Sequence, residues 1–521
     1  MGVDTPSGYR PLTMLTTPAA LEPVHARTET NMSSLTKASK AGAAAMAAAV
    51  VLLASTGCGQ AAGGKGAADS AHESRSVSMW TWNKEQLEPL AKKYEAKTGV
   101  HVNLVDRGVG ADEYSQFSAA KKNTPPDVVQ LEYPVISQYA HNGFLEPDLW
   151  KGVDSSVFTG SAASQSTVDG KTYALPLDYG GLTFYYNEDL LMSDGVQAPP
   201  ATWDQFYEVA KTVRLRGHWL AALPSDSSLV ESMTWQAGGR PYADSSTQTS
   251  VTATTDGGVS KAVDWLQKMT ADKLYPVDVE PWSDAWLQSM RAEQIVGVIA
   301  GTDKAPLIAS KLPSLAGKMV VGPAVTWADG GQNAEYGGSA LAVTSVSQDK
   351  KDAAAFVEWL ATDGDAIQMR VDAGAYPATK ATQTLATFLE LSSLPADGGS
   401  KNVKYFQDAW NKQSVANNSK IAGSFSWFPL EQDARSSWST IMKGARSGVE
   451  PYAGRLQAWQ SSIVQTGVDN DLVMRTPGDA GDDADGVDAG KLKKSRKAKA
   501  KSKPGEGETA VEQNPNAVNK N

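Results

Sequence analysis

Strand-like and helix-like hydrophobic patterns alternate in the first third of the chain. Residues 76–82 and 100–105 alternate apolar and polar positions with a period of two, which predicts strands. Between them, apolar residues at 87, 90, 91 and 94 have the spacing of an amphipathic helix that stops at Gly99. A third strand is predicted at 127–131. This order predicts right-handed βαβ units in a mostly parallel sheet, with ligands at the carboxyl ends of its strands.

The stretch around Gly180 and Gly181 is the centre around which the predicted fold is organised. Residues 173–177 are typical of extended chain, and residues 182–186 are rich in aromatic and β-branched residues, which predicts a strand. Asp178 and Tyr179 stand beside the glycine pair, where the backbone bends easily. We interpret the stretch as a crossing between two lobes with ligand-facing groups at its hinge. A β-bulge within one sheet is the alternative.

The same alternation continues to residue 378, and from there to about residue 474 the pattern is helical. A capping box at 202–205 starts a helix, and Trp265 lies on the core stripe of another. Buried strands are predicted at 295–299, 319–322 and 340–343, and a helix is predicted over 353–360 with Gly364 after it. Tyr336, Gly337 and Gly338 form a second joint, and residues 375–378 a third. We therefore predict an α/β fold with one lobe at 77–180 and 338–376, and another at 181–337 and 377–475.

The amino-terminal region has the zones of an export signal. Two lysines precede an uncharged apolar run at 41–54, and small residues lead to Cys58. The sequence LASTGC resembles a bacterial lipoprotein signal, which implies cleavage before Cys58 and its acylation, palmitate included. We predict a signal peptide at 32–57 and a flexible, lipid-anchored linker at 58–76. Residues 1–31 do not fit a signal, so translation is expected to start at Met32, with 1–31 a non-native extension.

Composition and charge narrow the possible functions. A net charge of −10 gives no reason to expect a nucleic-acid partner, and the single cysteine excludes an internal disulfide. None of the five histidines forms a His-x-x-x-His pair, so no metal site is expected, and no cofactor is implied. We find no nucleophile-elbow, zinc-protease or phosphate-loop motif. Residues 476–521 separate acidic from basic blocks, which predicts a disordered tail.

Several dispersed stretches resemble family 1 of the extracellular solute-binding proteins of bacterial ABC importers, the maltose- and oligosaccharide-binding type. They are VSMWTWN at 77–83, PPDVVQLEYPVISQYAHNGFL at 125–145, GKTYALPLDYGGLTFYYNEDLL at 170–191, PPATWDQF at 199–206, TWQAGG at 234–239, YGGSALAVTS at 336–345 and DAAAFVEWL at 352–360. The resemblance implies a two-lobed, periplasmic-binding-protein-like fold (type II) with the ligand between the lobes. It also implies a binding protein without catalytic residues.

The same resemblance, with positions at strand ends and joints, implies a set of ligand contacts. They are Trp82, Glu132, Tyr133, Asp178, Tyr179, Trp235, Asp303, Tyr336, Gly337, Gly338 and Trp427. Asp303 stands where the family often has a stacking Trp, and Trp427 is expected to supply a ring instead. Aromatic rings beside acids suit a carbohydrate, because rings stack on its CH patches and carboxylates accept its hydroxyls.

The expected protein is a monomer that binds a carbohydrate, in particular an oligosaccharide, and delivers it to the permease subunits of an ABC importer. It would be held by lipidated Cys58 at the extracellular face of the cytoplasmic membrane. An extracellular carbohydrate-acting enzyme is the alternative from another class, because its paired carboxylates are a spatial feature that no spacing reveals. Within the binding class, a peptide or a polyol is the alternative ligand.

Overall fold

The computed structural model describes residues 75–108, 110–120, 125–244, 248–396, 401–407 and 410–476. The predicted export signal, Cys58, almost all of the linker, and the charged tail after residue 476 lie outside these described residues. Within the described ranges, every helix is too short or too polar to span a bilayer.

Strands and helices alternate along the described chain. The strands are Ser76–Trp80 (β1), His101–Val105 (β2), Val128–Glu132 (β3), Thr167–Val168 (β4), Lys171–Thr172 (β5), Ala174–Asn187 (β6), Trp219–Ala221 (β7), Tyr242–Asp244 (β8), Thr249–Val251 (β9), Ile295–Gly301 (β10), Met319–Val321 (β11), Glu335–Val343 (β12), Leu394–Ala396 (β13), Lys401–Val403 (β14) and Met474–Arg475 (β15). The helices are Lys84–Thr98 (α1), Ala111–Ala120 (α2), Tyr133–His141 (α3), Gly160–Gln165 (α4), Glu188–Ser193 (α5), Trp203–Leu215 (α6), Ser228–Gln236 (α7), Gly257–Ala271 (α8), Asp284–Arg291 (α9), Ala305–Lys311 (α10), Lys350–Thr362 (α11), Gly364–Asp372 (α12), Ala386–Leu389 (α13), Trp410–Asn418 (α14), Glu431–Ile441 (α15), Lys443–Arg446 (α16) and Ala453–Asp469 (α17).

The central sheet runs in the order β2-β1-β3-β12-β6-β10-β7, with β11 also paired to β6. The pairs β1–β2, β1–β3 and β7–β10 are parallel, which confirms the predicted βαβ units. Strands β6 and β12 run antiparallel to their neighbours. The parallel pairs thus lie on either side of two antiparallel strands that join them.

Strand β6 is one continuous crossing of 14 residues. Its first half pairs with β12, as in Leu175 opposite Leu341, and its second half pairs with β10 and β11. The glycine pair therefore lies inside a strand and does not interrupt it. Tyr336 likewise lies inside β12, which starts at Glu335 and shifts register twice along β6.

The hydrophobic side chains form separate cores on the two sides of this crossing. One core draws on residues between Val77 and Tyr179 and between Ala340 and Phe388. The other side starts at Leu182 and takes in the helices up to Met474. Two lobes follow from this division of apolar contacts, while the exact lobe boundaries given above stay a prediction.

Local signals at several element ends are confirmed. Gly99 closes α1 with a φ of 72°, and the Asn187 side chain accepts a hydrogen bond from the Leu190 backbone amide. One expectation is wrong. Strand β1 ends at Trp80, so Trp82 lies in the following turn. Gly364 follows the end of α11 at Thr362, as predicted, and it also opens α12, which the Asp363 side chain caps.

Candidate functional site

A cavity of about 310 Å³ opens between groups that belong to the two sides of the crossing. Its wall is formed by Glu132, Pro134, Pro224, Asp226, Ser228, Ser232, Glu280, Pro281, Trp282, Ala300, Gly301, Lys304, Glu335, Tyr336, Gly337, Gly338, Trp427 and Arg435. The first two residues stand where β3 passes into α3, at the carboxyl end of a parallel strand. The others come from the loop before α7 and α7 itself, the loop before α9, the end of β10 and the turn after it, the start of β12, the loop before α15, and α15.

Five of the predicted contacts meet on this wall: Glu132, Tyr336, Gly337, Gly338 and Trp427. Two of these side chains are fixed by buried neighbours. The Glu132 carboxylate accepts a hydrogen bond from the Tyr114 hydroxyl at 3.0 Å. The indole nitrogen of Trp427 donates to the Gln165 side chain at 2.6 Å. The wall therefore presents an oriented carboxylate and an oriented ring.

Tyr133, Asp178 and Tyr179 lie behind the wall and stabilise the crossing. The Tyr133 hydroxyl donates to the Asp178 carbonyl at 2.9 Å, and Ser339 donates to the Asp178 carboxylate at 2.8 Å. The Tyr179 hydroxyl is 2.8 Å from that of Ser161. Burial, with the nearby Asp303 carboxylate, raises the pKa of Asp178 to about 6. Contact of these three side chains with a ligand stays a prediction.

Trp235 and Trp82 are also off the cavity wall. Trp235 is completely buried, donates to the Ala422 carbonyl at 2.6 Å, and stacks on Phe425 with ring centroids 5.4 Å apart. Its ring is 6.2 Å from that of Trp427, so it supports the cavity ring from behind. Trp82 is half-buried in the turn after β1. Ligand contact by either tryptophan stays a prediction.

Asp303 lies just behind the wall, next to Lys304, which lines the cavity. Its carboxylate pairs with the Lys304 ammonium at 2.8 Å, while its Oδ1 atom is buried without a hydrogen-bond partner. Three backbone segments approach this oxygen at glycines. A Cβ on Gly180, Gly301 or Gly337 would come within 2.0 to 2.3 Å of it. The glycines of both joints thus make room for a carboxylate.

Several cavity residues were missed by sequence reasoning. Glu335 directly precedes the predicted joint at Tyr336, and this position beside the joint is the local signal that could have pointed to it. Arg435 could have been suspected from its i, i+4 spacing to Glu431 on one helix. Trp282 follows a proline in a loop, which marks a turn but does not indicate which surface the turn reaches.

The cavity wall carries more acids than cations. Its carboxylic side chains are Glu132, Asp226, Glu280 and Glu335, and its cations are Lys304 and Arg435. Arg435 is held by Glu231 at 2.7 Å and by Glu431 at 3.2 Å, and Lys304 by Asp303. Burial raises the pKa of Glu335 to about 7. Both cations are therefore already engaged by acids of the protein.

The cavity wall can bind a ligand through hydrogen bonds to its carboxylates and through contact with its aromatic rings. The Asp226 carboxylate accepts from the Ser228 amide at 2.9 Å, and the Glu280 carboxylate from the Ser225 amide at 2.9 Å, which leaves further lone pairs on both. Among the described residues, no three His, Cys, Asp or Glu side chains converge as metal ligands do.

Comparison with known proteins places the chain in context. A family model described as bacterial extracellular solute-binding protein matches residues 89–396. The maltodextrin-binding protein of Bacillus subtilis (strain 168) is 24% identical over 324 residues, which cover 60% of this chain and 74% of that protein.

Solved structures show the same architecture. The ABC transporter associated binding protein from B. animalis subsp. lactis Bl-04, in complex with β-1,6-galactobiose, is 30% identical with a TM-score of 0.71, over 77% of this chain and 99% of that one. The galacto-N-biose-/lacto-N-biose I-binding protein of Bifidobacterium longum shares the fold at 20% identity, with a TM-score of 0.65 over 77% and 98% of the two chains. The expected two-lobed, periplasmic-binding-protein-like fold is thereby confirmed.

Proposed function

The chain belongs to the bacterial extracellular solute-binding proteins, and from this premise we propose that it is the substrate-binding subunit of an ABC importer for an oligosaccharide. The observation that carries the proposal is the cavity wall, where the rings of Trp282, Tyr336 and Trp427 stand among four carboxylic side chains. The relatives named for maltodextrin and β-1,6-galactobiose binding support the same ligand class.

The wall chemistry favours a neutral saccharide over a peptide. Indole and phenol faces suit the CH patches of sugar rings, and carboxylates accept hydrogen bonds from hydroxyls, each contributing about 1.5–3 kcal/mol. A peptide needs partners for two charged termini and for its backbone. The two cations of the wall, Lys304 and Arg435, are already paired, so neither is free for a terminal carboxylate. A sugar acid would likewise require a cation that is not already paired with an acid of the protein, to bind its carboxylate.

Lobe closure supplies the binding step in this proposal. Glu132 and Pro134 come from the side of the first core, while Trp282 and Trp427 come from the other side. A saccharide that contacts both sides stabilises the closed form, because only that form makes all the contacts. The closed, loaded monomer would then deliver the sugar to the permease subunits of the importer and would catalyse no reaction.

Isothermal titration calorimetry with a glycan panel tests this function. The panel contains β-1,6-galactobiose, lacto-N-biose and maltotriose, with a tripeptide, sorbitol and a uronic-acid disaccharide as comparisons. We expect at least one neutral saccharide to bind, and the uronic-acid disaccharide to bind at least about tenfold more weakly than it, a difference of ~1.4 kcal/mol. Binding of only the peptide or sorbitol would contradict the proposal. Hydrolysis products after incubation would favour the carbohydrate-acting enzyme instead.

Retention at the extracellular face of the membrane is proposed to depend on acylated Cys58. Cys58→Ala should release the protein to the medium, because one acyl chain anchors only marginally and stable anchoring needs the multiply acylated cysteine. Ser55→Leu is the control, because lipoprotein signals usually carry a larger aliphatic residue where Ser55 stands, and this variant should stay in the membrane fraction. Fractionation followed by immunoblotting measures both. Equal retention of the Cys58→Ala protein would rule out the lipid anchor.

A further inference from the structure

The loop before α9 holds a tryptophan in a backbone conformation that bulky residues avoid. Trp282 has a φ of 70°, follows Pro281, and precedes Ser283, whose amide donates to the Glu280 carbonyl at 3.2 Å. Proline in the second position, positive φ in the third and this hydrogen bond are the features of a type II turn. The third position of such a turn normally takes Gly or Asn, because a β-carbon is strained there.

The other residues with positive φ have local explanations that Trp282 lacks. Lys273 and Glu293 stand just after the C-cap residues of helices α8 and α9, where a left-handed residue completes the hydrogen bonds of the helix end. The remaining three non-glycine cases in the described chain are aspartates, whose short side chains tolerate the conformation. Trp282 is the one member of this group that lines the cavity.

The surrounding contacts hold the indole in place. The Ser283 hydroxyl donates to the Glu280 carbonyl at 2.7 Å, and the Glu280 carboxylate accepts from the Ser225 amide. The half-buried ring of Trp282 packs on the completely buried ring of Trp286, with centroids 5.0 Å apart and planes at 51°. Both the backbone and the ring of Trp282 are therefore fixed before any ligand arrives.

We propose that Trp282 is a ligand contact, whose indole stacks on the apolar face of a sugar ring in the cavity. This inference rests on the proposed oligosaccharide function and assigns one residue to it. Strained backbone persists where the surrounding structure enforces it, and such sites cluster where proteins bind ligands. A turn with only a connecting role would be more stable with glycine in this position.

Three substitutions in the full-length protein separate the ring from the turn. Trp282→Phe keeps an aromatic face, Trp282→Leu keeps an apolar side chain on Trp286, and Trp282→Gly keeps only the turn. Lys273→Gly is the matched control, since it also places glycine at a positive φ but lies on an exposed helix end. Affinity for β-1,6-galactobiose, lacto-N-biose and maltotriose is measured by calorimetry.

For the saccharide that binds the wild type, we expect the Leu and Gly variants to bind at least about tenfold more weakly. The Phe variant should stay within about threefold of the wild type, because stacking needs only a ring face, and Lys273→Gly should bind unchanged. A Leu variant with wild-type affinity would overturn the inference, as would a Phe variant as weak as the Leu variant. A wild type that binds none of the three saccharides would overturn the oligosaccharide function and this inference with it.

Discussion

At the scale of single residues, Glu113 on α2 is a carboxylic acid buried without compensation. Its side chain is completely buried, and neither carboxylate oxygen has a hydrogen-bond partner. Burial, with smaller effects of Glu132 and Asp106, raises its pKa from 4.5 to about 9. The folded protein therefore binds a proton that the unfolded chain loses above pH 4.5. The contribution of Glu113 to the free energy of unfolding is therefore largest at low pH and falls as the pH rises toward 9.

Glu113→Gln should remove this pH dependence, because the amide resembles the protonated acid and does not ionise. Between pH 5 and pH 8, the slope of the unfolding free energy should change by up to ~1.4 kcal/mol per pH unit. Urea unfolding of both proteins across this range measures the change. Glu358→Gln, at an exposed position of α11, should leave the slope unaltered. Parallel curves for the wild type and Glu113→Gln would show that Glu113 is ionised in the folded protein.

Sequence patterns identify chemistry at single positions better than they identify which way a side chain points. Glu132 and Tyr336 were predicted from a strand end and a glycine joint, and both reach the cavity. Asp178 and Tyr179 stand at the other glycine joint, beside Gly180, yet Ser339 and Ser161 bind them behind the wall. Those serines are distant in sequence, so no local pattern reveals the contact.

At the scale of elements, the crossing strands depend on glycines that leave space for the Asp303 carboxylate. The Oδ1 atom of this carboxylate sits where β6, β10 and β12 approach one another, while its Oδ2 atom is paired with Lys304. The glycine pattern was read from the sequence as two flexible joints. The structure shows continuous strands, because the glycines provide close approach and do not interrupt the pairing.

Gly180→Ala should therefore destabilise the fold, since the added methyl group would lie 2.0 Å from Asp303 Oδ1. Overpacking of this kind costs about 1–3 kcal/mol. Gly257→Ala, at the start of α8 with open space around it, is the control and should be tolerated. Removing the clash with Asp303→Ala in the double mutant should recover part of the loss, as expected for coupled neighbours. Thermal melting measures all three, and an unchanged melting temperature for Gly180→Ala would show that Asp303 moves freely.

At the scale of the whole molecule, the alternation of strands and helices was sufficient to predict an α/β fold of two lobes. The cavity itself was harder to predict, because its wall collects residues from Glu132 to Arg435 along the chain. Trp282 illustrates the limit: Pro281 marks its turn, but only the packing on Trp286 carries that turn to the cavity. Loop residues reach a shared site through long-range packing, which a local pattern does not encode.

Small-angle X-ray scattering, with and without saturating saccharide, tests most directly whether this protein captures its ligand by lobe closure. The saccharide is the one that calorimetry identifies, and Trp282→Leu at the same saccharide concentration serves as the weakly binding control. We expect the wild-type radius of gyration to fall on saturation, and the control to show a smaller change. The free energy of unfolding should rise in parallel, by ~2.7 kcal/mol when free saccharide is at a hundredfold excess over Kd. An unchanged radius in a sample that calorimetry shows to be saturated would contradict the account.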